Sequence, residues 1–317
     1  MDRRKVIIDT DCGSDDAMAI AMALNEPGIE IVLITTVHGN VTARQATVNT
    51  LTTIEYANTY EPPVYMGSEK PLLRDSCFAY ETHGNDGMGD IGLVPQRLTA
   101  CDGNGVLKLI ETLEEAKDGE IEIITLGTLT NIALAMRIAP QAIKKAKRIS
   151  LMGTAGLGAG NVTPVAEFNI WQDAEAAKIV FEFGAPLFAI GWDACLGEAM
   201  LDTEDINRIR EGSPLGRFAI DCNRQLMELN RQRFGYDVLD MADPAAMAAI
   251  LYPPCVKTSG EYYCEVDTSA GISYGAVIVS DHKDWNKQPN ATVCSALHGD
   301  KFKEYLYRTL CEGQQAR

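Results

Sequence analysis

Short apolar runs rich in Val, Ile and Leu return along the chain, each followed by a helical pattern, and this alternation restricts the fold more than any other feature. Runs this apolar suit parallel strands buried on both faces. They predict strands at 6–8, 29–36, 121–126, 149–152 and 187–190. Helices are expected at about 15–24, 42–58, 103–117, 129–138, 173–183, 203–211 and 214–231. Such alternation implies an α/β fold: an open, mostly parallel, Rossmann-like sheet flanked by helices, joined by right-handed crossovers. From about residue 255 the pattern changes to a small antiparallel extension, with strands at 262–266 and 276–280, and a final helix. No repeat, low-complexity stretch or linker divides residues 1–317, so a single domain is expected.

In an open α/β sheet, ligands lie beyond the carboxyl ends of the strands. That rule selects the loops 9–16, 37–42, 126–129, 153–169 and 191–196, all rich in Gly, Asn, Asp or Thr. Charge narrows what they bind. With 44 acidic against 28 basic residues the formal charge is −16, which opposes nucleic acid or an anionic membrane and suits a small neutral or cationic ligand. The start, Met-Asp-Arg-Arg-Lys, has no apolar core of a signal peptide, and no run approaches a membrane span. Nine scattered cysteines contain no C-x-x-C pair, so neither a disulfide framework nor a zinc site is suggested and a cytoplasmic location is the default.

The densest chemistry is in Val6-Ile-Ile-Asp-Thr-Asp-Cys-Gly-Ser-Asp-Asp-Ala, a strand, a tight turn and a helix. Gly13 permits the turn, Ser14 can cap the helix, and Asp15 and Asp16 fall in its first turn, where the helix dipole favours negative charge. Capping explains one or two carboxylates, not Asp9, Asp11, Asp15 and Asp16 together. Acids this close repel unless a cation neutralises them or some keep their protons. A hard divalent cation, Ca²⁺ or Mg²⁺, is the simplest remedy. An EF-hand is excluded because Ile20 stands where its bidentate Glu belongs.

With the segments that follow, this stretch resembles the inosine-uridine-preferring nucleoside hydrolase family, whose N-terminal pattern is D-x-D-P-G-x-D-D. Thr35-Thr-Val-His-Gly-Asn40, Thr82-His-Gly84 with Gly87-Met-Gly89, Leu129-Thr-Asn-Ile-Ala133, Leu151-Met-Gly153, Ala166-Glu-Phe-Asn169 with Asp173-Ala-Glu-Ala-Ala177, and Asp243-Pro244 follow in order. The resemblance implies hydrolysis of the N-glycosidic bond of ribonucleosides. It implies that Asp11, Asp16, Asp243 and the backbone carbonyl of Leu126 bind Ca²⁺, and that Asp11 is also the general base. Asp15, Asn40, Asn161, Glu167 and Asn169 would hold the ribose with Met152 nearby, and Asp9 would support the loop from behind. Homodimers or homotetramers are usual in such a family.

Each outlying residue also has a plainer reading. Asn40 and Asn161 follow glycines and suit turns, Asp243 before Pro244 suits a helix start over 245–251, and Trp171 and Trp192 suit the core as well as a base pocket. Glu167 and Asn169 precede a helix starting near Asp173, so capping accounts for neither. His83 lies in the Gly-rich stretch Glu81–Gly89, which has the mobility expected of a lid.

Two positions depart from the family pattern. Cys12 replaces the usual Pro and resembles a variant subgroup; its thiol can be inert packing, a substrate contact or an oxidation-sensitive point. Ala242 replaces the histidine assigned to protonating the leaving base. Arg231, Arg233, Tyr236, Asp237 and His83 are then the candidates for helping the base depart. Outside this reading, the D-x-D at a strand end is compatible with an aspartyl phosphatase, and Ala242 with a calcium-dependent nucleoside-binding protein of little turnover.

Overall fold

The computed structural model describes residues 3–281 and 285–312. Among the described residues nine strands form one sheet: β1 (Arg4–Thr10), β2 (Ile29–Thr36), β3 (Val64–Met66), β4 (Ile121–Thr125), β5 (Ile149–Met152), β6 (Leu187–Ile190), β7 (Val256–Val266), β8 (Val277–Ser280) and β9 (Ala291–Leu297), in the order β3-β2-β1-β4-β5-β6-β9-β7-β8. All pairs from β3 through β9 are parallel, and the β7 pairings with β8 and β9 are antiparallel. Along β1, Val6 and Ile8 enter the core on one face and Ile7 the core on the other, all without exposure. A strand with two covered faces has no polar side to show, hence the unbroken apolar run.

Chain order reverses on either side of β1. β2 lies to one side and β4 to the other, so the loops that leave β1 and β4 diverge and open a crevice at the switch point. The loop 9–16 and the turn 126–129 border that crevice.

The helix Ser14–Asn25 leaves it downward, with all twelve residues buried. Its Ala and Met side chains let other helices close on every side. The equally buried, Ala-rich helix Ala242–Leu251 packs against it. Both start at the crevice, so Asp15 and Asp16 in one first turn meet Asp243 in the other.

Several elements differ from the sequence expectation. The helix expected at 214–231 is two, Pro214–Asp221 and Arg224–Phe234. Asn223 separates them by turning its side-chain amide to Ala219 O and Ser14 O, each at 2.9 Å, a local bond that competes with helix continuation. The C-terminal extension is continuous with the main sheet, because β9 inserts between β6 and β7; its mixed composition, Ala-Thr-Val-Cys-Ser-Ala-Leu, has no strong apolar run. The short β3 was likewise not anticipated.

His38, just past β2, is fully buried, with Nε2 2.9 Å from Thr130 Oγ1 and no partner on Nδ1. Burial depresses its pKa from 6.5 to about 4. As pH falls, the unfolded chain takes up the proton first, so the contribution of neutral His38, complete above pH 6.5, is lost down to about pH 4. Between pH 8 and pH 5 the wild type should lose about 2 kcal/mol of unfolding free energy that His38→Gln does not lose. Urea unfolding at both pH values measures it, and equal pH slopes would refute it.

Candidate active site

Asp11, in the turn after β1, and Asp16, in the first turn of the helix Ser14–Asn25, are fully buried. Asp11 Oδ2 accepts the backbone N–H of Asn40 at 2.6 Å, while Oδ1 is held more loosely, 3.4 Å from Asn40 Nδ2. Asp16 accepts from Thr10 Oγ1 at 2.5 Å, from Gly13 N at 2.9 Å and from Asn40 Nδ2 at 3.1 Å. Asp9 points behind the turn, where Thr35 Oγ1 (2.5 Å) and Asn131 Nδ2 (2.7 Å) both donate to Oδ1. It supports the loop, and burial lifts its pKa to about 7.

Ser14 does not cap the helix. The cap residue is Gly13, and the Asp16 carboxylate reaches back to its N–H. This frees the Ser14 hydroxyl, which lies 2.8 Å from His83 Nδ1.

One carboxylate oxygen from each of Asp15, Asp16 and Asp243 lies within 4.8 Å of the others. Asp15, read from the sequence as a sugar ligand, therefore also belongs to the carboxylate group. Burial first, then repulsion from neighbouring aspartates, raises Asp16 to about 6 and holds Asp11 and Asp243 well above the usual carboxylate range. The buried Asp15 Oδ1 has no hydrogen-bond partner. An unpartnered oxygen among crowded acids is the donor set a hard divalent cation satisfies, so these residues fit a metal ion. The Leu126 carbonyl, expected to join them, receives Asn169 Nδ2 at 2.6 Å.

A cavity of about 630 Å³ opens at Asp15 and Asp243, while Asp11 and Asp16 are fully buried behind its lining. Asp15, Asn40, Leu126, Met152, Asn161, Glu167, Asn169 and Asp243 line it, so all the expected sugar ligands converge. Asn169 also donates weakly to Met152 O and Sδ, at 3.3 and 3.4 Å. Glu167 does cap a helix, contrary to expectation: a separate short helix, Phe168–Gln172, precedes the one capped by Asp173, and Glu167 accepts Asn169 N at 2.9 Å. Burial raises Glu167 to about 7. Asn161, at the exposed rim, braces the same turn by accepting Phe168 N.

The same cavity is lined by Phe78, Tyr80, His83, Trp192, Leu226, Arg233 and Asp240. Of the residues considered for the departing base, His83 and Arg233 face the cavity. Arg231 is instead paired with Asp237 and Glu228 at the surface. Trp171 lies elsewhere, beside Arg74 and Tyr274. The expected mobile lid is a tied loop: His83 ends the short helix Tyr80–His83, Asp86 accepts from Met88 N and Asp90 N, Asn49 donates to Asp86 O and Cys12 O, and Arg224 holds Gly89 O and Asp90 O. Cys12 is buried in the core, and burial pushes its thiol well above its ordinary range, as inert packing requires.

Three contributors escaped the sequence reading. Gly39 and Gly127 flank Asp11 so closely that a Cβ on either would fall within 2.7 Å of its carboxylate oxygens. Their signal was present, since both glycines lie in crevice loops. The role of Ser14 had none, because His83 is 69 residues away. No lysine lines the cavity among the described residues, which leaves an aspartyl phosphatase without its phosphate ligand.

Residues 6–304 match the family model described as inosine-uridine preferring nucleoside hydrolase. The chain is 35% identical over 303 residues to the pyrimidine-specific ribonucleoside hydrolase RihB of Escherichia coli O157:H7 (strain EC4115 / EHEC), with 95% of each chain covered. Among solved structures it superposes on a plant nucleoside hydrolase, the PpNRh1 enzyme, with a TM-score of 0.90, 31% identity and coverage of 97% of this chain and 99% of that one. The purine-preferring ribonucleoside hydrolase from Gardnerella vaginalis gives 0.88, 28%, 97% and 98%. With the family model spanning nearly its whole length, this chain belongs to the inosine-uridine preferring nucleoside hydrolases, enzymes that cleave the N-glycosidic bond of nucleosides.

Proposed function

We propose that the enzyme hydrolyses ribonucleosides to ribose and free base, with Asp11 as the base that takes the proton of the attacking water. The observation that carries this reading is the lining of the cavity, which combines carboxylates and amides (Asp15, Asn40, Glu167, Asn169) with aromatic and cationic side chains (Phe78, Tyr80, Trp192, Arg233).

Glycosidic cleavage passes through a ribose with oxocarbenium character. Asp15, Asn40, Asn161, Glu167 and Asn169 offer acceptors and donors for sugar hydroxyls, and the carboxylates among them favour positive charge growing on the ring. Burial and the neighbouring Asp16 raise the proton affinity of Asp11, and its loosely held Oδ1 is the oxygen available to the water. Asp11, Asp16, Asp243 and the Leu126 carbonyl, with Asp15 beside them, would hold calcium, which supplies positive charge that orders the sugar diol and lowers the pKa of water. His83, which lines the same cavity, is the group on the leaving-base side, taking the place left by Ala242.

Incubating the protein with uridine, cytidine, inosine, adenosine and guanosine in the presence of Ca²⁺, and measuring free ribose, tests the function and ranks the bases. No ribose from any of them would overturn it. Removing metal with a chelator should abolish turnover, with recovery on adding Ca²⁺. The same treatment should lower the unfolding free energy by about 3 kcal/mol relative to protein in calcium at about a hundred times Kd. Full activity in chelator would reject the metal assignment.

A further inference from the structure

Ser14 opens the helix Ser14–Asn25 and is completely buried. Its backbone N–H is a first-turn donor with no partner inside the helix, and it points to His83 Nδ1 at 3.3 Å, while its hydroxyl lies 2.8 Å from the same nitrogen. A backbone amide can only donate. Nδ1 is therefore an acceptor without hydrogen, and the ring hydrogen sits on Nε2.

Nε2 makes no hydrogen bond among the described residues and is not an enclosed, partnerless atom, and His83 lines the cavity. Asp15 Oδ1, 3.7 Å from Nδ1, is the nearest acid; it would draw a hydrogen to Nδ1, but the amide already occupies that side. Gly13 permits the approach, since a Cβ there would come within 3.0 Å of Nδ1.

We propose that Ser14 is a positioning residue for leaving-group departure: it holds His83 with Nδ1 against the helix start and Nε2–H turned into the cavity. There Nε2–H donates a hydrogen bond to a carbonyl oxygen or ring nitrogen of the departing base. The bookkeeping of the step is simple. Water oxygen bonds to C1′ and its proton passes to Asp11; the C–N electron pair leaves with the base, which later takes a proton from solvent. His83 stabilises the charge growing on the base without surrendering its hydrogen. The inference rests on the hydrolase reading above and assigns the donor on its base side.

Nuclear magnetic resonance of the ¹⁵N-labelled wild type reads the ring directly. The sequence has four histidines, and the His83 signal is the one lost in His83→Gln. The neutral, Nε2-protonated pattern is expected at pH 7, and an Nδ1-protonated or imidazolium pattern overturns the proposal. Kinetics supplies the second arm. Ser14→Ala should lower kcat on the preferred nucleoside about tenfold, the worth of one well-placed hydrogen bond. On 4-nitrophenyl riboside, whose phenolate departs without help, the loss should be several times smaller, and Ser14→Thr should recover most of the nucleoside rate. Equal losses on both substrates, or a threonine variant no better than alanine, overturn it. Failure of the hydrolase reading shows differently: the wild type then releases neither base nor nitrophenolate, and the proposal falls with it.

Discussion

Replacing Asp11 with alanine should lower kcat by about a thousandfold or more, within the range that positioned acid–base groups contribute. Asp11 is buried beside Asp16 and Asp15, and its burial raises its affinity for a proton. On the proposed assignment, an alanine there removes the proton acceptor together with a carboxylate beside the Asp15, Asp16 and Asp243 group. Asp11→Asn separates the two effects. It keeps the shape and the contact with Asn40 N but cannot take a proton, so it should lose nearly as much turnover while retaining more metal. Steady-state rates on the preferred nucleoside, read alongside calcium content by elemental analysis, check both. Wild-type turnover in either variant would move the general base elsewhere.

What the sequence disclosed depended on whether a signal was local. Val6, Ile7 and Ile8 announce a central strand because both faces are covered, and the strand-end rule then leads straight to Asp9–Asp16. Resemblance gathered the sugar side, and Asp15, Asn40, Asn161, Glu167 and Asn169 do line one cavity. Non-local relations were hidden. The break at Asn223 depends on a bond to Ser14 O, more than two hundred residues away, and β9 becomes a strand because β6 and β7 each offer it an edge. Cap positions misled by single residues: Ser14 was a reasonable cap by type, but Asp16 reached Gly13 first and left the hydroxyl for His83. Asp15 was assigned to sugar by pattern, while the packing of two buried helices brings its carboxylate within reach of Asp243.

Close packing around Asp11 gives a glycine a large expected effect as well. At Gly39 an added Cβ would lie 1.9 Å from Asp11 Oδ2 and 2.7 Å from Cγ. Asp11 has no easy retreat, because on its other side Gly127 leaves so little room that a Cβ there would stand 2.7 Å from Oδ1. The carboxylate is short and carries no flexible end, so in Gly39→Ala either Asp11 or the Gly39–Asn40 backbone must move by more than about 1 Å to restore ordinary contact. A shift of that size at a reacting group costs on the order of a hundredfold in rate, and the strain of overpacking about 1–3 kcal/mol in stability. Gly39→Ala should therefore fold, unfold at lower denaturant and turn over about a hundred times more slowly. Gly28→Ala is the control, since its added Cβ meets only the flexible end of Glu26, at 3.8 Å. Urea midpoints and kcat for the two variants decide the matter. A Gly39→Ala enzyme with nearly normal kcat would mean that turnover does not depend on the clamp around Asp11, and the general base would have to be sought among the acids that line the cavity.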